Sequence, residues 1–363
     1  MSKKFCCLYP ILGLLTLLVL TLATPAVLGL IFHDIEPFDD SDFTITAATI
    51  ADEDNAYFDL LALQDTEVPD EIDAEVKAHL SGEKWDEAFV IQTLADYSTQ
   101  LQQFEDAAAK PAFQDPDFIE PAADTLIADS DLIITFFSFV RLNSLHALAL
   151  MKAGQEEKAL HLSFLSIDLG AKMMDSKSPL YYWLIGRAVQ KQGLDTLDQI
   201  LPEITGSSLL QEYTAKLPDY ELTDEAILQA FKGDYSLASG VFKTINQNPE
   251  LLEQFAGIGD EELLVIHFLY YDGWSFYYHP NESKKAYYEA IKVTADQILA
   301  TCEPLPNDET RYPSPSDLSF YWSENALGKI VVSGMSLNAN GKLFCETRAQ
   351  IEELEQQMTA TRT

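Results

Sequence analysis

The six histidines, His33, His79, His146, His161, His267 and His279, are the side chains whose type most readily suggests metal or acid–base work, and they are scattered. The chain has no His-Glu-x-x-His pair for zinc, no Gly-x-Ser-x-Gly elbow, no phosphate-cradling glycine loop and no dinucleotide fingerprint. His146 and His161 could face each other across a helical hairpin, with Asp168 as a third ligand. Without a recognisable ligand spacing, one core and one surface imidazole is the simpler reading. With 58 Asp plus Glu, carboxylate pairs at glycosidase-like separation arise by chance, so naming two of them would be arbitrary. The runs Asp39-Asp40-Ser41-Asp42 and Asp52-Glu53-Asp54 lack the Asp-x-Asp-x-Asp-Gly loop and closing Glu of a calcium site, and read as a solvated stalk. No catalytic, cofactor-binding or metal-binding residue is assigned, and no cofactor is expected.

Two features outside the histidines carry more information. The segment from Phe268 to Tyr278 gathers seven aromatics. Tyr270, Tyr271, Trp274, Tyr277 and Tyr278 could form a platform that stacks sugar or grips an apolar peptide. Core packing is the competing and plainer reading, since aromatics supply large buried areas. Cys302 and Cys345 are the only cysteines after the first ten residues and lie 43 positions apart. An oxidising compartment would let them pair, for a chain-entropy gain of about 4 kcal/mol, and free buried thiols are the alternative. Asn281-Glu282-Ser283 has the form of a glycosylation acceptor.

The elements that must position these residues begin with a membrane segment. Ile11 to Phe32 runs 22 residues without a charge, after Lys3 and Lys4 and before Asp34, Glu36, Asp39, Asp40 and Asp42. That length suits a transmembrane anchor (11–32), and the lysines place the tail (1–10) in the cytoplasm. A cleaved secretory signal is the other reading, with Thr24-Pro25-Ala26 as the cleavage region. Either way the bulk lies outside the cytoplasmic membrane, periplasmic or at the cell surface. The whole chain carries a net charge of −35, which excludes nucleic acid as a partner, because phosphate contacts need Lys or Arg. With 47% hydrophobic and 22% charged residues, the rest folds around a core.

Beyond an acidic stalk (33–54), the periodicity is helical throughout, and the expected fold class is all-α. Val90, Leu94, Tyr97, Leu101 and Phe104 share one helical face, and Leu132 to Val140 is a buried helix too short to span a bilayer. A helical-hairpin region is expected over 55–248. An aromatic-rich C-terminal region follows at 249–363, with a proline-rich loop at 303–316 and a last helix carrying Ile351, Leu354 and Met358. Glycines are expected to punctuate the hairpins at Gly82, Gly154, Gly193 and Gly233, the last three spaced 39 and 40 residues apart.

The turns Gly154 to Ala159 and Gly233 to Ala238, with Ala147, Ala226 and Ser166 as small residues of the flanking helices, resemble tetratricopeptide repeats. The resemblance implies stacked antiparallel hairpins with a concave groove over Ala147, Ala159 and Ala226. It departs from the family in its period, in the extra residue after Gly82 and in the missing alanine after Gly193. The order of anchor and acidic helical domain resembles uncharacterised bacterial envelope proteins, which supply no activity to carry over. The expectation is a non-catalytic, membrane-anchored scaffold for a peptide or protein partner. The alternative is an envelope enzyme or binding protein acting on polysaccharide through residues 268–278.

Overall fold

The computed structural model describes residues 33–45, 49–63, 66–115, 130–178, 180–220, 222–247, 278–302 and 341–361, with positions 16, 31, 325 and 329. Among the described residues every regular element is helical, and the one β feature is an isolated parallel bridge between Asn55 and Ala112. The helices are α1 (Ala56–Leu61), α2 (Asp70–Leu80), α3 (Glu87–Asp96), α4 (Ser98–Ala108), α5 (Ser130–Lys152) and α6 (Glu156–Asp175). They continue with α7 (Leu180–Ile200), α8 (Ser207–Thr214), α9 (Asp224–Gln247), α10 (Pro280–Thr301) and α11 (Gly341–Thr361). Among these described helices none is long and apolar enough to cross a membrane, and the expected anchor at 11–32 lies outside the described residues save Thr16 and Ile31.

Local chemistry sets the helix ends. In α2, Asp70, Glu71 and Asp73 occupy the first turn and Lys77 and His79 the last, complementing the helix dipole. Asp86 caps α3, its Oδ1 accepting from the N–H groups of Ala88 (3.0 Å) and Phe89 (3.2 Å). Gly82 and Gly154 take φ of +75° and +73°, the left-handed conformation that closes a helix. At Gly154 the amides of Gly154 and Gln155 donate to Met151 (2.9 Å) and Leu150 (2.9 Å), so α5 turns tightly into α6.

The chain divides into two units. The larger comprises Thr44–Leu237, Ala295–Pro304 and Asn340–Thr363. Its centre is α5, α6 and α7, with α6 and α7 in the most extensive contact. That contact is nearly backbone to backbone. A Cβ at Gly170 would lie 2.5 Å from the Gln190 nitrogen and the Gly186 oxygen, one at Gly186 2.7 Å from the Gly170 oxygen, and one at Gly193 2.9 Å from the Ser163 oxygen. Around this seam lie the buried side chains Phe139, Leu142, Leu145, Leu160, Ile167, Val189, Leu194 and Leu197. A largely buried ion pair from Arg141 Nε to Asp73 Oδ1 (2.7 Å) ties α2 to α5. The last helix, α11, packs on α7 and α8 with Ile351, Leu354 and Met358 buried.

Several expectations change. Gly193 and Gly233 do not end helices; they lie inside α7 and α9. Gly193 is there because a side chain would strike α6, so the regular 39–40-residue spacing is not a hairpin period. Ala147, Ala159 and Ala226 are buried, because small side chains let neighbouring helices close over them, so they line no open groove. The stripe from Val90 to Phe104 is broken at Tyr97, between α3 and α4. The C-terminal region expected at 249–363 does not stay together, since Asn340–Thr363 belongs with the hairpin helices.

The smaller unit comprises Met1–Phe43, Ala238–Thr294 and Leu305–Ala339. Its described part corrects the stalk. Residues 34–43 lie along α10: Asp40 pairs with Lys284 (2.6 Å), and Asp42 accepts from Lys292 (2.7 Å) and from the Tyr288 hydroxyl (2.8 Å). Phe38 and Phe43 pack on the Tyr288 ring at 5.4 and 5.7 Å. These acids are ion-pair partners for cations on α10, which is why they are not simply solvated.

The glycine seam makes a sharp stability prediction. Gly170→Ala or Gly186→Ala should lower unfolding free energy by roughly 2–3 kcal/mol or more, because the new methyl overlaps backbone that cannot step aside. Gly154→Ala, with open space around it but a positive φ, should lose only about 1 kcal/mol. Urea titrations of the three variants check the order; equal losses would contradict it. Cys302 and Cys345 are disulfide-bonded with Cα atoms 5.9 Å apart. Intact mass of native-purified protein should accordingly show no alkylation at either sulfur until reductant is added.

Candidate functional site

A cleft of about 260 Å³ opens where α2, α5 and α7 all end, lined by His79, Lys84, Trp85, Leu148, Met151, Lys152, Gln199, Ile200 and Glu203. It is built outward from His79, which is 2% exposed. The His79 Nδ1 faces the Glu75 carbonyl (2.7 Å), and the Asp86 amide donates to Nε2 (3.1 Å), which assigns the proton to Nδ1. Phe89 stacks on the imidazole at 5.0 Å and Trp85 meets it edge-on at 5.9 Å. With both nitrogens occupied, His79 is a hinge pin for the α2–α3 turn and is not available as a base.

The exposed face of Trp85 then receives Lys152, whose ammonium stands 4.7 Å from the ring centroid. Lys152 lies in the last turn of α5, where the helix dipole favours a cation. Among the described residues it makes no ion pair. Lys84, by contrast, is paired with Glu75. Gln199 donates its amide to the Leu80 carbonyl (3.0 Å), so the end of α7 is bonded to the end of α2. Leu148, Met151 and Ile200 form a buried apolar floor, and Glu203 stands on the rim. The surface thus offers an indole, an ammonium, a carboxylate and an apolar floor. Among the described residues it holds no nucleophile beside a base and no facing carboxylate pair.

A second cleft, of about 440 Å³, includes Asp168, Lys172, Asp175, Asp219 and Tyr220. Lys172 is fully engaged: it pairs with Asp168 and donates to the carbonyls of Ala108 (3.0 Å) and Lys110 (2.6 Å), closing the end of α4. Burial, aided by Asp168 and Asp219, pushes the Tyr220 hydroxyl up to about 12. Desolvation, followed by the charge of Glu225, raises the Asp175 carboxyl above the usual carboxylate range. A third, apolar space among Tyr57, Leu60, Phe113, Phe136, Met173, Tyr182 and Ile185 belongs to the core. There the Tyr182 hydroxyl donates to Asp115 (2.8 Å), and burial raises its proton affinity far above that of free tyrosine.

The residues singled out by sequence fare differently. Tyr270, Tyr271, Trp274 and Tyr277, like the proline-rich loop at 303–316, lie outside the described residues. Tyr278 is 2% exposed and donates to the Phe242 carbonyl (2.8 Å), so it serves packing and no platform. His146 turns to Glu105 on α4 (3.5 Å) while His161 is exposed, so the two do not converge with Asp168. Asn281 donates its side-chain amide to the Ile35 carbonyl (3.0 Å), and Ser283 is buried, which removes that triplet from the open surface. Trp85 and Lys152 were not marked as a site by sequence. They lie three and two residues from Gly82 and Gly154, which have positive φ among the described residues, but no fixed spacing marks them. The chain matches no protein-family model, no curated protein sequence and no solved structure.

The raised Asp175 carboxyl has a definite sign. A carboxyl that holds its proton more tightly when folded favours the native state at low pH, and this contribution is lost as pH rises through the folded value. Asp175→Asn should therefore raise the thermal midpoint at pH 7, with the difference from the native chain vanishing near pH 3. A midpoint lowered by the substitution at pH 7 would show that the carboxylate is stabilised in the fold instead.

Proposed function

We propose that this chain is a non-catalytic, membrane-anchored helical scaffold that holds a segment of a peptide or protein partner outside the cytoplasmic membrane. The observation that carries this reading is the Trp85 cleft. An indole already engaged with Lys152 stands beside an apolar floor, at a place where three helices end and the ends of α2 and α7 are bonded to each other. Rigid aromatic anchors next to a cation and a shallow apolar seat are what protein recognition surfaces concentrate. The uncharged run 11–32, with Lys3 and Lys4 before it, supports the anchor and its orientation, with residues 33 onward extracytoplasmic. The α5–α6 hairpin, closed at Gly154, is the feature that supports a resemblance to helical repeats.

Selection of a displayed peptide library on the full-length chain in detergent tests the reading. Selected peptides should lose at least tenfold in affinity, about 1.4 kcal/mol, on Trp85→Ala, and much less on Trp274→Ala. If no peptide is selected while envelope glycans bind and are lost on Trp274→Ala, the scaffold reading falls and the polysaccharide reading replaces it.

A further inference from the structure

The chain just after the apolar run is not a free tether. The run ends at Phe32, and two residues later Asp34 caps the start of α10. Its Oδ2 accepts from the Asn281 amide (2.8 Å) and its Oδ1 from the Glu282 amide (3.0 Å). Asn281 returns a bond to the Ile35 carbonyl (3.0 Å). A carboxylate on the unsatisfied amides of a helix N-terminus is favourable in both hydrogen bonding and dipole. The strap then continues along α10 in the same direction, through Asp40 on Lys284 and Asp42 on Tyr288 and Lys292. Phe43 is buried beneath it.

Two residues of extended chain reach at most about 7 Å. If residues 11–32 span the bilayer, Asp34 therefore lies within about that distance of the point where the chain leaves the hydrocarbon, and the first turn of α10 lies one carboxylate hydrogen bond beyond it. We propose that the strap and the first turn of α10 form a membrane-contacting surface, with Ile35 lodged among the outer-leaflet headgroups. The inference rests on the anchor reading above and adds to it which face of the folded chain meets lipid. Ile35 is 37% exposed, one of the few large apolar side chains left so among the described residues. An exposed isoleucine beside the exit point of a span has an apolar boundary to enter. Its exposed neighbours Glu36 and Asp39 are anionic, and Asp39 is held so by its bonds to Ser41, which lower its proton affinity. Anions at this place repel acidic lipid and accept the ammonium of ethanolamine or choline headgroups. The partner surface is accordingly a zwitterionic bilayer. The strap also means that α10 is coupled to the anchor by directed bonds, where a solvated stalk would leave it free to swing.

Fluorescence quenching tests this with the full chain. In a Cys6→Ser, Cys7→Ser background, an environment-sensitive fluorophore is attached at Ile35→Cys or Lys285→Cys, and the protein is reconstituted into phosphatidylcholine–phosphatidylethanolamine vesicles. Phosphatidylcholine spin-labelled at the headgroup should quench both positions at least twofold. Asp34→Ala should relieve quenching at position 285 while leaving that at 35, because position 35 follows the span by chain continuity alone. Replacing part of the zwitterionic lipid with phosphatidylglycerol should weaken quenching at 35. Protein that co-floats with vesicles but is quenched at neither position overturns the contact surface and leaves the anchor standing. Protein that fails to co-float, or leaves the membrane in alkaline carbonate, overturns the anchor and the surface together.

Discussion

The backbone contact between α6 and α7 is the constraint on which the larger unit depends. Gly170, Gly186 and Gly193 remove the side chains that would otherwise hold two helices apart. Close approach maximises dispersion contact along the seam and fixes the register of both helices, because a shift by one residue would drive a Cβ into a carbonyl. With that register fixed, α5 has one place to lie, returned onto α6 by the Gly154 turn. Then α2 is fixed to α5 through Asp73 and Arg141, and α4 is held by Lys172 of α6 at its last carbonyls. The Trp85 cleft follows from this order. It exists because α2, α5 and α7 end together, and they end together because the seam sets where α7 lies.

The docking of α11 shows how apolar burial outweighs a local penalty. Arg187 of α7 is 6% exposed; its Nη2 donates to Gln350 (3.2 Å), but Nε and Nη1 meet no acceptor. Burial lowers its proton affinity, while the charges of Asp195 and Glu346 partly restore it. Two unsatisfied donors cost about 2–6 kcal/mol together. Ile351, Leu354 and Met358 of α11 are each almost fully buried, and three such side chains contribute about 5–9 kcal/mol. The balance favours α11 in place. The disulfide near its start and the contact of Arg348 with the Leu222 carbonyl (2.7 Å) add to it.

The helical class was legible because burial on one face leaves a 3.6-residue signature in composition, as in the α11 residues and the α5 core. What the sequence hid was partnership across distance. A glycine required for a left-handed turn, as at Gly154, and one required for helix proximity, as at Gly193, are the same letter. Only the neighbouring helix distinguishes them. Likewise Asp40 and Asp42 looked solvated because their cations, Lys284 and Lys292, come some 240 or more positions later in the chain. The candidate cleft was hidden for a third reason. An indole and an ammonium brought together by the fold need no fixed spacing, unlike a metal site, so Trp85 and Lys152 leave no motif.

Charge imbalance sharpens the reading of that cleft. With 58 acids and only 23 lysines and arginines, most cations have a carboxylate within reach, and the structure uses them so. Lys77, Lys84, Lys110, Arg141, Lys172, Lys191 and Lys216 are each ion-paired. In such surroundings an ammonium drifts to an acid unless something else holds it. The Trp85 ring holds Lys152 away from that fate, and the position at the end of α5 lowers the energy of keeping it there. A cation kept unpaired in an acidic protein is a local reversal of the protein's own field. On the scaffold reading proposed above, the complement of Lys152 would be an acidic side chain on the partner segment, with its apolar neighbour reaching the floor at Leu148, Met151 and Ile200.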